Sequence, residues 1–297
     1  MNKPLIINFT PTGMIPMKSM TPHVPISVSE ITEQVHEAYE LGITITHLHA
    51  READGRPTSS ADAYGKIVES VRNVAPDLVI CISLSGRDAK DVDQRAEPLL
   101  LTGDAKPDMG SLTLSSLNFI QQASSNSPET IQELATRMND RGIIPELEAF
   151  DTGMINYGNY LIKKGVLKPP YYFNLIFGNI ASAQADLLHA GLTLQQLPDD
   201  CHWSFGGIGD TQLKMNTIGI ASGGAVRVGL EDNIFFDTNR KVLASNQDLL
   251  LRIHEIAAIH DRPIMTGKAL REEWSIHSDH SDSLGGRIES LHTKKAI

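Results

Sequence analysis

"ITITHLHAREADGRPT", residues 43–58, is the stretch on which the fold turns. Its opening, Ile43 to Thr46, is β-branched throughout, the make-up of a buried strand. Such a strand should feed an apolar core, yet it runs out into His47 and His49, one residue apart. Side chains along a strand alternate between faces, so both imidazoles belong to the same face. A fold is needed in which a strand can be apolar along its body and polar where it ends.

The same grammar recurs on both sides of this segment. LIINFT precedes it, and LVICISLS, DMGSLTL, IIPELEAF, YYFNLIFG, HWSFGGI and AVRVGL follow, which makes eight strand candidates. Amphipathic segments lie between them. SVSEITEQVHEAYELG puts Ile31, Val35, Ala38 and Tyr39 on one face, with Ser27 or Ser29 to cap its start and Gly42 at its end. SPETIQELATRMNDRG has Ser127 as cap, Pro128 at the first helical position and Gly142 after the last turn. NQDLLLRIHEIAAIHDRP closes the series against Pro263.

Strand and helix alternating eight times predict an α/β fold, a (β/α)8 or TIM barrel forming one domain over residues 1–297. An open doubly wound sheet is the alternative, because strand count alone does not show closure. The last stretch, HSDHSDSLGGRIESLHTKKAI (277–297), lacks core periodicity. It is expected to lie as an arm on the surface or on a neighbouring subunit, with His277 and His280 solvated rather than metal-binding.

Composition narrows the function classes. Hydrophobic residues at 41% and charged residues at 21% suit a sizeable core. A net charge of −10 without any Lys/Arg run argues against nucleic acid and anionic membrane as partners. Cys81 and Cys201 are far apart and lack zinc-type spacing, as expected of reduced thiols in a cytoplasmic protein. MNKPLIINFTPTG does not read as a signal peptide, and no apolar run reaches transmembrane length.

In a barrel the chemistry collects where the strands end. Period two puts His47 with His49, Ser83 with Ser85, Ser111 with Thr113, and Glu146 with Glu148. An unpaired buried hydroxyl costs about 1–3 kcal/mol and an isolated carboxylate far more, so something polar should occupy the mouth. Two imidazoles and a carboxylate from elsewhere would make a three-ligand site with open positions, the arrangement of catalytic zinc. The plainer reading is that His47 and His49 only hydrogen-bond to neighbouring strands.

GITITHLHAREADGRPT, IIPELEAFDTGM and GGAVRVGLEDN resemble the β-keto acid cleavage enzymes, and VRVGLEDN is the most specific block. The likeness runs from FTPTGM to the ASNQDLLLRIHEIA segment. It implies a zinc-dependent (β/α)8 barrel, usually a homotetramer, that takes a β-keto acid and acetyl-CoA and returns acetoacetate and a new acyl-CoA. By the match His47, His49 and Glu231 would hold zinc and Asp232 would be the general base. Arg227, Ser83 and the carboxylates Glu146 and Glu148 would surround the reacting carbons, one of the two glutamates being the family's functional one. Ser111, Thr113 and Arg227 are further donors for the tetrahedral alkoxides. Arg227 could equally be a structural ion pair, and the hydroxyls could simply bond to backbone.

Coenzyme A carries phosphates, and barrel loops after the seventh and eighth strands often bind phosphate. FGGIGD, with Gly206, Gly207 and Gly209, is the candidate there, and SGG at 222–224 a second; glycines serve tight turns just as well. FGNIASA is a further candidate wall. Two departures from the family bear on the substrate. The first strand is followed by PTGMIPMKSMTP, with Met14, Ile15, Met17 and Met20 where relatives acting on amino-substituted acids carry a carboxylate, and Glu52 stands where Asp is usual. Met14 is therefore expected to face an apolar or neutral substrate group rather than a cationic one, unless the methionines merely plug the barrel. A zinc-dependent aldolase or hydrolase without CoA, and a non-catalytic sensor of small acids, are the other function classes.

Overall fold

The computed structural model of the chain describes residues 3–276 apart from positions 88 and 90. Eight short strands run in chain order: β1 (Ile7–Phe9), β2 (Ile45–Leu48), β3 (Val79–Ile82), β4 (Met109–Thr113), β5 (Ile144–Ala149), β6 (Tyr171–Phe177), β7 (Cys201–Gly207) and β8 (Ala225–Val228). Each pairs in parallel with the next. β1 then pairs with β8, Ile7 opposite Val226 and Phe9 opposite Val228, so the sheet closes and the open-sheet alternative falls.

The helices follow from the caps seen in the sequence. α1 (Val28–Leu41) starts on a capping box between Ser27 and Glu30 and stops at Gly42, whose φ of 102° only glycine adopts easily. Then come α2 (Ala61–Val74), the short α3 (Val92–Ala96) and α4 (Pro128–Asp140), the last capped by Ser127 with Pro128 at its first position. They are followed by α5 (Thr152–Lys163), α6 (Leu187–Gln195), α7 (Gln212–Ala221) and α8 (Asn246–Ile259). α8 ends short of Pro263, at a turn where Asp261 has φ 50°. A two-stranded antiparallel hairpin, Leu117–Asn118 with Ala123–Ser124, stands between β4 and α4 and was not among the expected elements.

The main core lies between barrel and helices. A second apolar cluster fills the lower barrel: Ile6, Ile45, Val79, Met109, Tyr172 and Ala225, stoppered by Leu270 of α9 (Gly267–Glu273) and by Trp274 just after it. Above it the interior turns polar. The Asn8 amide donates to Glu146 Oε1 at 2.6 Å, the Asn174 amide donates to the same oxygen at 3.2 Å, and Ser204 donates to Asn174 Oδ1 at 2.9 Å. Many of the polar groups that seemed too many for a barrel thus satisfy one another, which removes most of their desolvation cost.

The SGG segment precedes β8 and so lies at the end of the barrel opposite the mouth. A Cβ on Gly224 would meet the Trp203 ring at 2.1 Å, so this glycine serves close packing and the segment is no phosphate loop of the mouth. The expected arm, 277–297, with His277 and His280, falls outside the described residues.

Candidate active site and metal centre

His47 and His49 leave β2 one above the other, and Glu231 reaches them from the turn after β8. His49 Nε2 is 3.3 Å from His47 Nε2 and 3.2 Å from Glu231 Oε1, and the three donor atoms lie within 4.8 Å of one another. Local structure makes this approach possible. Gly13 has φ 65°, and a Cβ there would sit 2.5 Å from Glu231 Cγ. The Arg51 guanidinium holds the same turn, donating to the Gly13 carbonyl at 2.6 Å and to Pro16 and Gly55 carbonyls. The sequence reading passed over Arg51, since a structural arginine in a loop carries no periodic signal.

Glu146 is fully buried and accepts from His47 Nδ1 at 2.6 Å, which fixes the ring and turns Nε2 toward His49. Cys81 meets the same oxygen, its thiol 3.4 Å from Glu146 Oε2. Glu148, two residues on, instead opens on the mouth, where Thr113 donates to it at 2.7 Å. The two glutamates share a face but not a height, and only Glu148 borders the cavity.

Arg227 is almost fully buried among these acids. Its Nε donates to Asp232 Oδ2 at 2.8 Å and its Nη2 to Glu231 Oε1 at 2.7 Å, while Glu148 Oε1 lies 3.8 Å from Nη1. Gly206 leaves room for that side chain: a Cβ there would touch it at 3.2 Å. Gly207 is needed against the Thr211 backbone, 2.7 Å from where its Cβ would be, so of the three glycines only Gly209 borders the cavity.

Charges at the site are sorted by these contacts. Burial pulls His47 down, but Glu146 and Glu231 outweigh it and hold the imidazole up at about 9. At His49 burial prevails over Glu231 and takes it down to about 4. Burial would raise Glu146, yet His47 and Arg227 bring it to about 2. Glu231 also resists burial, and Arg227 with the two histidines keeps it well below the usual carboxylate range. Asp232 goes the other way: burial and the Glu231 charge overcome Arg227 and raise it. Glu148 is likewise raised, by burial and by Glu146.

The donor set fits a divalent ion. Two imidazole nitrogens facing each other at 3.3 Å, beside a Glu231 Oε2 that is buried without a hydrogen-bond partner, are arranged for something between them. Imidazole and carboxylate together suit zinc, with positions left open. His47 also belongs to a second possible set with Cys81 and Glu146, but the close His47–Glu146 hydrogen bond already occupies that one.

Over the cluster stands a cavity of about 530 Å³, within the usual size of a ligand pocket. Met14, Ile15 and Met20 line one side, and Ser83, Thr113, Glu148 and Asp232 its floor. Gly178 and Asn179 of FGNIASA and the β4–α4 hairpin, through Phe119 and Ile120, wall the other side. Met17 lies lower, with its sulfur 3.4 Å from Arg51. Ser111 has its hydroxyl committed, accepting from the Leu84 N–H at 3.0 Å, and does not border the cavity. Glu52 is exposed in a turn away from the cluster. Arg87 enters the cavity from the β3 loop and lies over the Phe119 ring, 3.7 Å from its centroid. It was not singled out from the sequence, although it follows Ser85 by two residues.

The fold and its mouth define the class: a (β/α)8 barrel of the enzyme type, with a donor set for one ion and a neighbouring raised carboxylate. Comparison with known proteins narrows this. The sequence profile of the beta-keto acid cleavage enzyme family matches residues 4–276. A 3-keto-5-aminohexanoate cleavage enzyme of Fusobacterium nucleatum subsp. nucleatum is 34% identical over 279 residues, 93% of this chain and 99% of that protein. A 3-oxoadipate:acetyl-CoA acetyltransferase of Cupriavidus necator is 34% identical over 269 residues, 90% of this chain and 93% of that protein. Among solved structures, ObcA bound to oxaloacetate superposes with a TM-score of 0.74 at 19% identity, covering 86% of this chain and 67% of that one, a likeness of fold. The chain belongs to the beta-keto acid cleavage enzyme family and is an enzyme of that type.

Proposed function

We propose that this enzyme exchanges acyl groups between a β-keto acid and acetyl-CoA, giving acetoacetate and a new acyl-CoA, with a zinc ion held by His47, His49 and Glu231. The observation that carries the reading is the split between two adjacent carboxylates: Glu231 converges on the imidazoles while Asp232 has a raised pKa and lines the cavity floor. When bound, the ion would supply Lewis-acid polarisation of the substrate ketone, which makes the C2 protons removable.

The protein's own groups then carry the reaction. Asp232 accepts a C2 proton, and a pKa raised by burial and the Glu231 charge makes its carboxylate a stronger base than an ordinary aspartate. Arg227 holds Asp232 in place through its Nε contact. The C2 carbanion attacks the thioester carbonyl carbon, and the new C–C bond forms as CoA thiolate departs. The thiolate adds to the original ketone carbon, the bond from that carbon to C2 breaks, and the proton on Asp232 returns to C2 of acetoacetate. Both tetrahedral alkoxides need donors, for which Ser83 and Nη1 of Arg227, the latter buried without a hydrogen-bond partner, are the best placed. Glu146 acts through His47, and Glu148 through Arg227 and Thr113.

Gly209 borders the rim, but its N–H donates to the Asp232 carbonyl at 2.7 Å, so for the CoA phosphates the proposal keeps Arg240 on the same rim. A cytoplasmic homo-oligomer, a tetramer by the family resemblance, completes it: α6 exposes Leu187, Leu188 and Leu192, a face suited to a second copy. Among the described residues no helix is long and apolar enough to cross a membrane. The deciding experiment is a panel of β-keto acids on zinc-loaded protein, scored by acyl-CoA formation. Turnover that does not require acetyl-CoA would replace this reading with an aldolase or hydrolase, and no turnover at all would favour a sensor.

A further inference from the structure

We infer that the substrate is a dicarboxylic β-keto acid whose far carboxylate is anchored by Arg87. The inference rests on the acyl-exchange reading only for the near end of the substrate, where the keto acid group meets the histidine–glutamate cluster. The far end is argued from Arg87 alone.

A guanidinium inside a cavity has lost water and needs compensation. Arg87 has the Phe119 face beneath it, which offsets part of that cost. Among the described residues no carboxylate lies within ion-pair distance of it. The acids nearby are engaged elsewhere: Glu231 and Asp232 by Arg227, and Glu148 by Thr113. Yet Arg87 is near enough for its charge to be felt at His49, and Glu231, Glu148 and Asp232 are felt in turn at Arg87, where burial nevertheless depresses its pKa. It is therefore a cation that borders the reaction cavity and whose guanidinium makes no hydrogen bond or ion pair among the described residues. Planar bidentate recognition of a carboxylate is what a guanidinium does best. The phosphates of CoA are separated from the thioester by the whole pantetheine arm, so a cation this close to the floor is better matched to the keto acid. Met14, Ile15 and Met20 on the facing side would pack the methylenes between the two polar ends.

The test uses a matched pair on zinc-loaded protein, 3-oxohexanoate and its terminal-carboxyl analogue 3-oxoadipate, with 3-keto-5-aminohexanoate as the cationic arm. We expect kcat/KM to favour 3-oxoadipate on the order of 10–100-fold, the scale of one charge-assisted pair. Arg87→Gln should abolish that ratio and Arg87→Lys should retain part of it. Calorimetry provides a readout without turnover: glutarate should bind more tightly than pentanoate, and Arg87→Gln should erase the difference. No preference in the wild type, or equal losses on both keto acids in Arg87→Gln, would overturn the assignment and leave Arg87 as a counter-charge of the site. If no keto acid is cleaved while glutarate still binds through Arg87, the anion pocket stands and the acyl-exchange reading fails. Cleavage that favours 3-oxohexanoate or the cationic acid has the reverse meaning.

Discussion

Glu231 and Asp232 differ by one methylene and adjoin in sequence, yet Arg227 and the imidazoles depress the first while burial raises the second. Their substitution should separate two functions. Glu231→Gln should lower zinc affinity and activity together. Asp232→Asn should keep its zinc, lose about 10²–10⁴ in kcat, and stop exchanging substrate C2 hydrogens with heavy water in the absence of acetyl-CoA. Zinc loss in Asp232→Asn, or exchange at the wild-type rate, would break the assignment. His47 gives a pH test. Held up at about 9, it is protonated at neutral pH without metal, so zinc binding there should release about one proton, read by calorimetry in buffers of different ionisation enthalpy. The sign for stability follows. With its folded value above the ordinary 6.5, His47 gives the metal-free protein stability that is full below that value and lost as pH rises through about 9. His47→Gln should flatten the melting temperature of metal-free protein across that window.

At the scale of elements, the loop after β1 is where sequence and structure explain each other. A methyl group at Gly13 would strike Glu231, and its φ of 65° costs an L-residue about 1–2 kcal/mol as well. Gly13→Ala should therefore fold with reduced zinc content, measured per chain by elemental analysis; full loading would show that Glu231 does not need this gap. One residue on, Met14→Glu should shift preference toward ammonium-bearing keto acids, by about 1–3 kcal/mol for a charge-assisted contact, seen as a change in the ratio of kcat/KM values. The strands were legible because period two is a local property, and it named His47, His49, Glu146 and Glu148 together. It could not say how deep each residue sits, so only the folded barrel separates buried Glu146 from Glu148 at the mouth. Arg87 and the hairpin carrying Phe119 escaped because loops have no period. Gly206 and Gly207 looked like phosphate-binding residues because a glycine required by a neighbour's bulk and one that bares an N–H are the same letter.

For the molecule as a whole, eight repeats of strand and helix specified the layers, while closure had to be seen, since it depends on β1 accepting β8 along three residue pairs. That seam has a further meaning. His49 and Glu231 are 182 residues apart in the chain and face each other across the junction of its first and last strands. An ion at this place would work as a clasp. A chain still being made has both histidines long before it has the glutamate, so tight capture must wait until the ends have met. Metal uptake would then discriminate finished barrels from unfinished ones. Once fastened, the seam should be the last part to open. In hydrogen exchange, loading zinc should slow β1, β2 and β8 more than β5 and β6, and uniform slowing would show that the ion stabilises the barrel without holding its seam.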